Sequence, residues 1–324
     1  MPEEEKAGTG WIGGAAEKLH DFARREEPAP RRPRVGLALS GGFARGIAHI
    51  GVLRVLEEHK IPIDCIAGTS VGALVGGGYA AGCPLDEMER QAITTKFGDF
   101  GRWTLSRLGL ATNLRLEEFF HKFTPATRFD QLKIPFAVAA TDLGSGKTIH
   151  FTSGDLILAI RASCAYPGLF VPVQQDGRMM ADGFLTEPVP FEAARALGAE
   201  IVIGVHLETT GLTKRPSSMF EVIGRAFSIM QTHIEEGWRA GCDMVIQPGV
   251  SDVMWDEFSK TPQMVAAGAA AARLALPQIQ ALLASSPRGD RGPGLRSGRK
   301  RHINASANVT TVAKKPAATN ETQS

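Results

Sequence analysis

The sequence predicts an α/β protein with a mostly parallel central sheet. Short, nearly unbroken apolar runs such as Val35–Leu39 suit strands buried on both faces. Several of them pass through a glycine-rich turn into a helix-length segment. Thirty-six glycines and only 7% aromatics in 324 residues favour many tight strand-to-helix turns over a β-sandwich. A hydrophobic content of 43%, with no glycine period of three, excludes collagen-like and largely disordered chains.

Taken in order, residues 1–34 read as a polar, disordered leader that ends in a Pro/Arg-rich linker at 28–34. Strand Val35–Leu39 meets Ser40-Gly41-Gly42, and a helix follows from 45 to 59, closed by Pro62. A second strand at 63–67 turns at Gly68 into an apolar helix at 71–81, so the two strands are parallel neighbours with right-handed crossovers. Residues 65–85 carry no charge, but six glycines and Pro84 make a strand, turn and buried helix a better reading than a membrane span. Residues 85–123 read as mostly helical. A strand at 134–140 pairs with Lys147–Phe151 across the Gly144/Gly146 turn, and Asp155 caps a helix that Pro167 stops. Strands at 171–175 and 178–181, a helix at 190–197, a strand at 200–205, a helix at 218–238, a strand at 243–247 and an alanine-rich helix at 263–284 complete a body spanning 35–284. Residues 285–324 read as a basic disordered tail.

The net charge of +2 is a property of the ends. The tail holds eight Lys/Arg against two Asp/Glu, whereas the body holds 21 bases against 25 acids. The four cysteines are far apart, without a CxxC pair, which argues against a zinc cluster or a disulfide framework. The acidic N-terminus lacks the charge of a signal peptide, so cytoplasm is the expected compartment.

Three turns carry chemistry. Gly68-Thr69-Ser70-Val71-Gly72, between strand and helix, is a nucleophile elbow that projects the Ser70 hydroxyl over the helix N-terminus. Ser40-Gly41-Gly42-Phe43-Ala44-Arg45-Gly46 converges backbone N–H groups on an anion, either a phosphate or the oxyanion of acyl transfer. It is neither a dinucleotide fingerprint, lacking the middle glycine, nor a Walker loop, lacking Gly-Lys-Ser/Thr. For the general base, His49 and His59 fall on the first helix and His206 is the best-placed histidine. Asp182-Gly183, just after an apolar strand, competes better, because an aspartate freed by glycine can face a neighbouring turn.

These features in this order resemble the patatin-like phospholipase family. The resemblance extends through Ala140-Thr141-Asp142, Arg161-Ala162-Ser163, Pro167-Gly168 and Pro188-Val189-Pro190, covering about residues 34–280. It implies a three-layer α/β/α sandwich related to the α/β-hydrolase fold. It further implies a serine–aspartate dyad, with Ser70 as nucleophile and Asp182 as base, and no catalytic histidine. Gly41, Gly42 and the Phe43 N–H would form the oxyanion hole, Arg45 would support that loop, and Gly46, Gly68, Gly72 and Gly183 are the motif glycines. Phe43 stands where the family usually carries a third glycine, and its side chain resists positive φ.

The expected activity is hydrolysis of carboxylic esters of phospholipids or lysophospholipids through acyl-Ser70, with no metal or cofactor. Two alternatives use the same sequence: an acyltransferase, or a membrane-associated docking protein with weak hydrolase activity. The basic tail would touch anionic membrane from the cytoplasmic face, with no specific nucleic-acid partner.

Overall fold

The computed structural model describes residues 32–208, 215–216 and 219–285. The leader up to residue 31, and the basic tail from residue 286 onwards with the membrane contact expected of it, lie outside the described residues. The body takes hold just before the expected boundary at 34. Arg32 donates to both Asp64 carboxylate oxygens (2.5 and 2.8 Å), and Val35 N–H also donates to that carboxylate (2.7 Å).

Strands β1 (Val35–Leu39), β2 (Cys65–Thr69), β5 (Phe136–Asp142), β9 (Ile201–Val205) and β10 (Met244–Ile246) form the parallel part of an eight-stranded sheet, in the order β10-β9-β1-β2-β5. Strands β6 (Lys147–Phe151) and β8 (Arg178–Asp182) run antiparallel to β5, and β7 (Val173–Gln175) is antiparallel to β8. Strands β3 (Arg102–Trp103) and β4 (Ala111–Thr112) make a separate small hairpin.

Side-chain alternation along the buried strands builds the layers. Val35, Leu37 and Leu39 of β1, Ile66 of β2, Val138 of β5 and Ile203 of β9 face one core. That core is shared with α1 (Ala48–Glu58), α2 (Val71–Ala80), α3 (Leu85–Thr94), α5 (Leu156–Ser163) and α8 (Thr261–Ser285). The opposite face is made of small residues, with Ala38, Ala67, Ala137 and Val202 meeting α6 (Phe191–Ala196) and Trp238 of α7 (Met219–Gly241). The protein is therefore a three-layer α/β/α sandwich on a mostly parallel sheet, as the sequence predicts. The charge-free stretch folds as β2 and α2. No helix among the described residues is long and apolar enough to cross a membrane.

The expectation of a mostly helical segment at 85–123 is wrong. Helix α3 stops at Thr94, and only α4 (Leu116–Phe120) follows. Gly98, Gly101 and Gly109 weaken a continuous helix, and the backbone finds other partners. Thr104 N–H donates to Leu110 O, and the Leu110 and Ala111 N–H groups both donate to Leu169 O.

Candidate active site

Strand β5 positions the site through a single edge. Its first half pairs with parallel β2, ending at Thr69 opposite Ala139; its second half pairs with antiparallel β8, ending at Asp182 opposite Ala140. β6 pairs with both halves and so must occupy the other edge. Two strands thus run towards each other along one edge and stop at adjacent registers. Ser70 follows one end and Asp182 closes the other. Ser70 Oγ donates to Asp182 Oδ2 at 2.7 Å.

Ser70 sits at φ 55°, ψ −124°, a strained conformation for a residue with a Cβ. Its backbone N–H donates to Ser163 Oγ (2.7 Å), which in turn donates to Ala139 O (2.6 Å). The next residues start α2, whose N-terminus lies directly behind the hydroxyl. A Cβ on Gly72 would stand 2.6 Å from Ser40 O, so only glycine lets α2 approach the preceding loop this closely.

Asp182 is 1% exposed. Burial pushes its carboxyl up to about 7, partly offset by the Phe184 N–H on Oδ1 (2.9 Å) and the Ser70 hydroxyl on Oδ2. A carboxylate titrating near neutrality can accept a proton and return it. Gly183 lies flat against β5, where a Cβ would sit 2.7 Å from the Ala139 carbonyl carbon.

The glycine loop reaches the serine from the other side. A methyl on Gly41 would stand 3.2 Å from Ser70 Cβ. Gly41 N–H makes a long bond to Pro188 O (3.4 Å) and Ala44 N–H bonds Trp255 O (3.0 Å), with the Gly42 and Phe43 N–H groups between them. Phe43 does adopt positive φ, at 53°. Its ring packs edge-on against Tyr166 (4.9 Å) and Trp255 (5.5 Å), contacts that hold the strained backbone. Buried Arg45 donates through Nε to Gly42 O (3.4 Å), and burial lowers its guanidinium pKa. Gly46 abuts the Val71 side chain.

The histidines lie elsewhere. His49 Nε2 bonds Ser40 O (2.9 Å), and His206 packs on Trp238 at 4.7 Å between centroids. Burial lowers them to about 4 and about 3, respectively. Among the described residues, no three His, Cys, Asp or Glu side chains cluster as a metal site requires.

Ser70 lines a partly open, mainly apolar pocket. Val71, Leu74, Met88, Phe100, Phe119 and Phe258 line it among others, with Ser70, Thr95 and Asn113 as its polar hydroxyl and amide groups and no charged side chain. Such a lining disfavours burying a charge and suits an apolar group.

Residues 37–195 match the family model described as patatin-like phospholipase. Residues 37–195 form a domain of the patatin-like phospholipase family. An NTE family protein of Mycobacterium tuberculosis is 41% identical over 178 residues, 54% of this chain and 49% of that protein. The lysophospholipase nte1 of Emericella nidulans is 29% identical over 203 residues, 59% of this chain and 13% of that protein. The match therefore spans about half the mycobacterial relative and a small part of the fungal one. Among solved structures, VipD from Legionella pneumophila aligns with a TM-score of 0.47 and 14% identity, covering 79% of this chain and 68% of that one. The type III effector ExoU aligns with a TM-score of 0.41 and 15% identity, covering 78% and 54%.

Within this patatin-like domain, sequence reasoning gave no role to two residues that touch Ser70's surroundings. Ser163 holds the Ser70 N–H, and Cys164 lines the pocket, its thiol pushed well above the usual range by burial and by Asp182. The Ser163 stretch was visible only as part of the family resemblance. Cys164 gave no signal.

Proposed function

We propose that this protein hydrolyses carboxylic esters of lipids through an acyl-Ser70 intermediate. The observation that carries the reading is the 2.7 Å hydrogen bond from Ser70 Oγ to Asp182 Oδ2, made by a serine that lines an uncharged, mainly apolar pocket. Asp182 takes the Ser70 proton as Oγ attacks the ester carbonyl. The Gly42 and Phe43 N–H groups receive the developing oxyanion, joined by Gly41 as it gives up its long bond to Pro188. Collapse of the tetrahedral species breaks the ester C–O bond, and Asp182 returns its proton to the leaving alcohol. Water then attacks acyl-Ser70, with Asp182 as base, and releases the fatty acid.

The fungal relatives named lysophospholipase support a single-chain phospholipid as the first substrate to test. The pocket suits one acyl chain in its apolar interior, with the polar headgroup left at the mouth. The test is fatty-acid release from lysophosphatidylcholine. Ser70→Ala and Asp182→Asn should each reduce turnover by about three orders of magnitude or more while leaving the circular dichroism spectrum unchanged. Near-normal turnover by purified Asp182→Asn would remove the dyad from the mechanism.

A further inference from the structure

We propose that the hairpin carrying β3 and β4 docks this protein on an anionic lipid bilayer, an inference that rests on the reading of the chain as a lipid hydrolase. Trp103 is 65% exposed, Leu105 107%, Leu108 51%, Leu110 44% and Leu114 58%. Single exposed apolar residues are ordinary on a protein surface, but five large ones between residues 103 and 114 are a local concentration that water does not favour.

Charge selects the occupant. Between residues 100 and 116 the charged side chains are Arg102, Arg107 and Arg115, all exposed, with Asp99 and Glu117 as the bracketing acids. An interfacial tryptophan, projecting leucines and arginines without interspersed carboxylates match the layered chemistry of an anionic bilayer, apolar below and phosphate above. A second copy of this chain is the competing occupant, but it would bring the same positive face into contact with itself.

Placement ties the patch to the pocket. Leu110 and Ala111 N–H donate to Leu169 O (3.0 and 2.8 Å), and Val171 N–H donates to Ala111 O (2.8 Å). Phe170, between those anchors, lines the pocket. Trp103 lies 5.3 Å from Phe97, whose ring stacks on Phe170 at 5.9 Å. A bilayer held by the hairpin would therefore sit beside the pocket wall that Phe170 forms.

The test is sedimentation of full-length Ser70→Ala protein with phosphatidylcholine vesicles containing about 30% phosphatidylglycerol, in low salt and in about 0.5 M salt. The Ser70→Ala protein is expected to bind, and adding Leu105→Glu with Leu108→Glu should lower partitioning roughly tenfold or more in both salts. Binding carried only by the basic tail would vanish in high salt and ignore these leucines. In the Ser70 background, Leu105→Glu/Leu108→Glu should hydrolyse a short water-soluble ester at the wild-type rate, since neither leucine lines the pocket. Brominated acyl chains should quench wild-type tryptophan emission, and Trp103→Phe should remove that quenched component. No sedimentation, sedimentation unaffected by the leucine changes, quenching unaffected by Trp103→Phe, or a dimer that the double substitution dissociates would each overturn the proposal. Absence of wild-type esterase activity would instead refute the hydrolase reading, while the vesicle result would still report on the hairpin.

Discussion

Asp182 converts the site's geometry into a measurable stability. Burial raises its carboxyl from an ordinary 3.8 to about 7 in the folded protein, whereas the unfolded chain exposes it to water. Because the folded value is the raised one, the stability this group contributes is complete below about pH 3.8 and is lost as pH rises to about 7. Asparagine keeps the shape and cannot ionise. At about 1.4 kcal/mol per unit of separation, wild type should lose about 3 kcal/mol relative to Asp182→Asn between about pH 5 and about pH 8.5. The assay is urea unfolding of both proteins at matched pH values, reading the difference in unfolding free energy so that other titrating groups cancel. The gap in favour of Asp182→Asn should widen with pH and level off above about pH 8. A gap that stays flat, or narrows as pH rises, would refute a buried carboxyl with a raised pKa and remove the reason for assigning it as a base near neutrality.

Three other outcomes follow from the same structure. For soluble esters, kcat/KM should fall about tenfold from pH 8 to pH 6, because only the ionised Asp182 can take the serine proton; a pH-independent rate in that window contradicts it. His49 and His206 are buried neutral, with folded values lowered to about 4 and about 3, so the stability they contribute is present above about pH 6.5 and lost as pH falls through the acid range. His206→Phe should therefore be about 2–3 kcal/mol less acid-sensitive than wild type between about pH 7 and about pH 4.5 by urea titration. Gly72→Ala drives a methyl onto the Ser40 carbonyl, and a thermal melt should show a loss of about 1–3 kcal/mol together with impaired turnover.

The parts of the site legible in the sequence are those encoded over a few adjacent residues. Gly68-Thr69-Ser70-Val71-Gly72 declares its own turn because the helix must pass within contact of Leu39 and Ser40, a constraint only Gly72 satisfies. The buried parallel strands were legible because they are nearly pure apolar runs. β2 and β5 each lie two residues beyond their expected positions, since pairing with neighbours sets strand ends more sharply than hydropathy does. The pocket was not legible, because its lining is drawn from Phe43 to Phe258 and exists only after the layers pack. The β3–β4 hairpin was hidden for a related reason: its leucines and aromatics sit at spacings compatible with a helix, and the competing partner, Leu169 O, is remote in sequence. The meeting of Ser70 with Asp182 likewise depends on two strands sharing one edge of β5, a relation set by register.

The most direct test of the central claim is covalent labelling of the intact protein with a fluorophosphonate, followed by peptide mapping. One phosphonyl adduct on Ser70 is expected, formed faster as pH rises through about 7 and abolished in Asp182→Asn. An unlabelled Ser70, or labelling that proceeds unchanged without the Asp182 carboxylate, would contradict that claim.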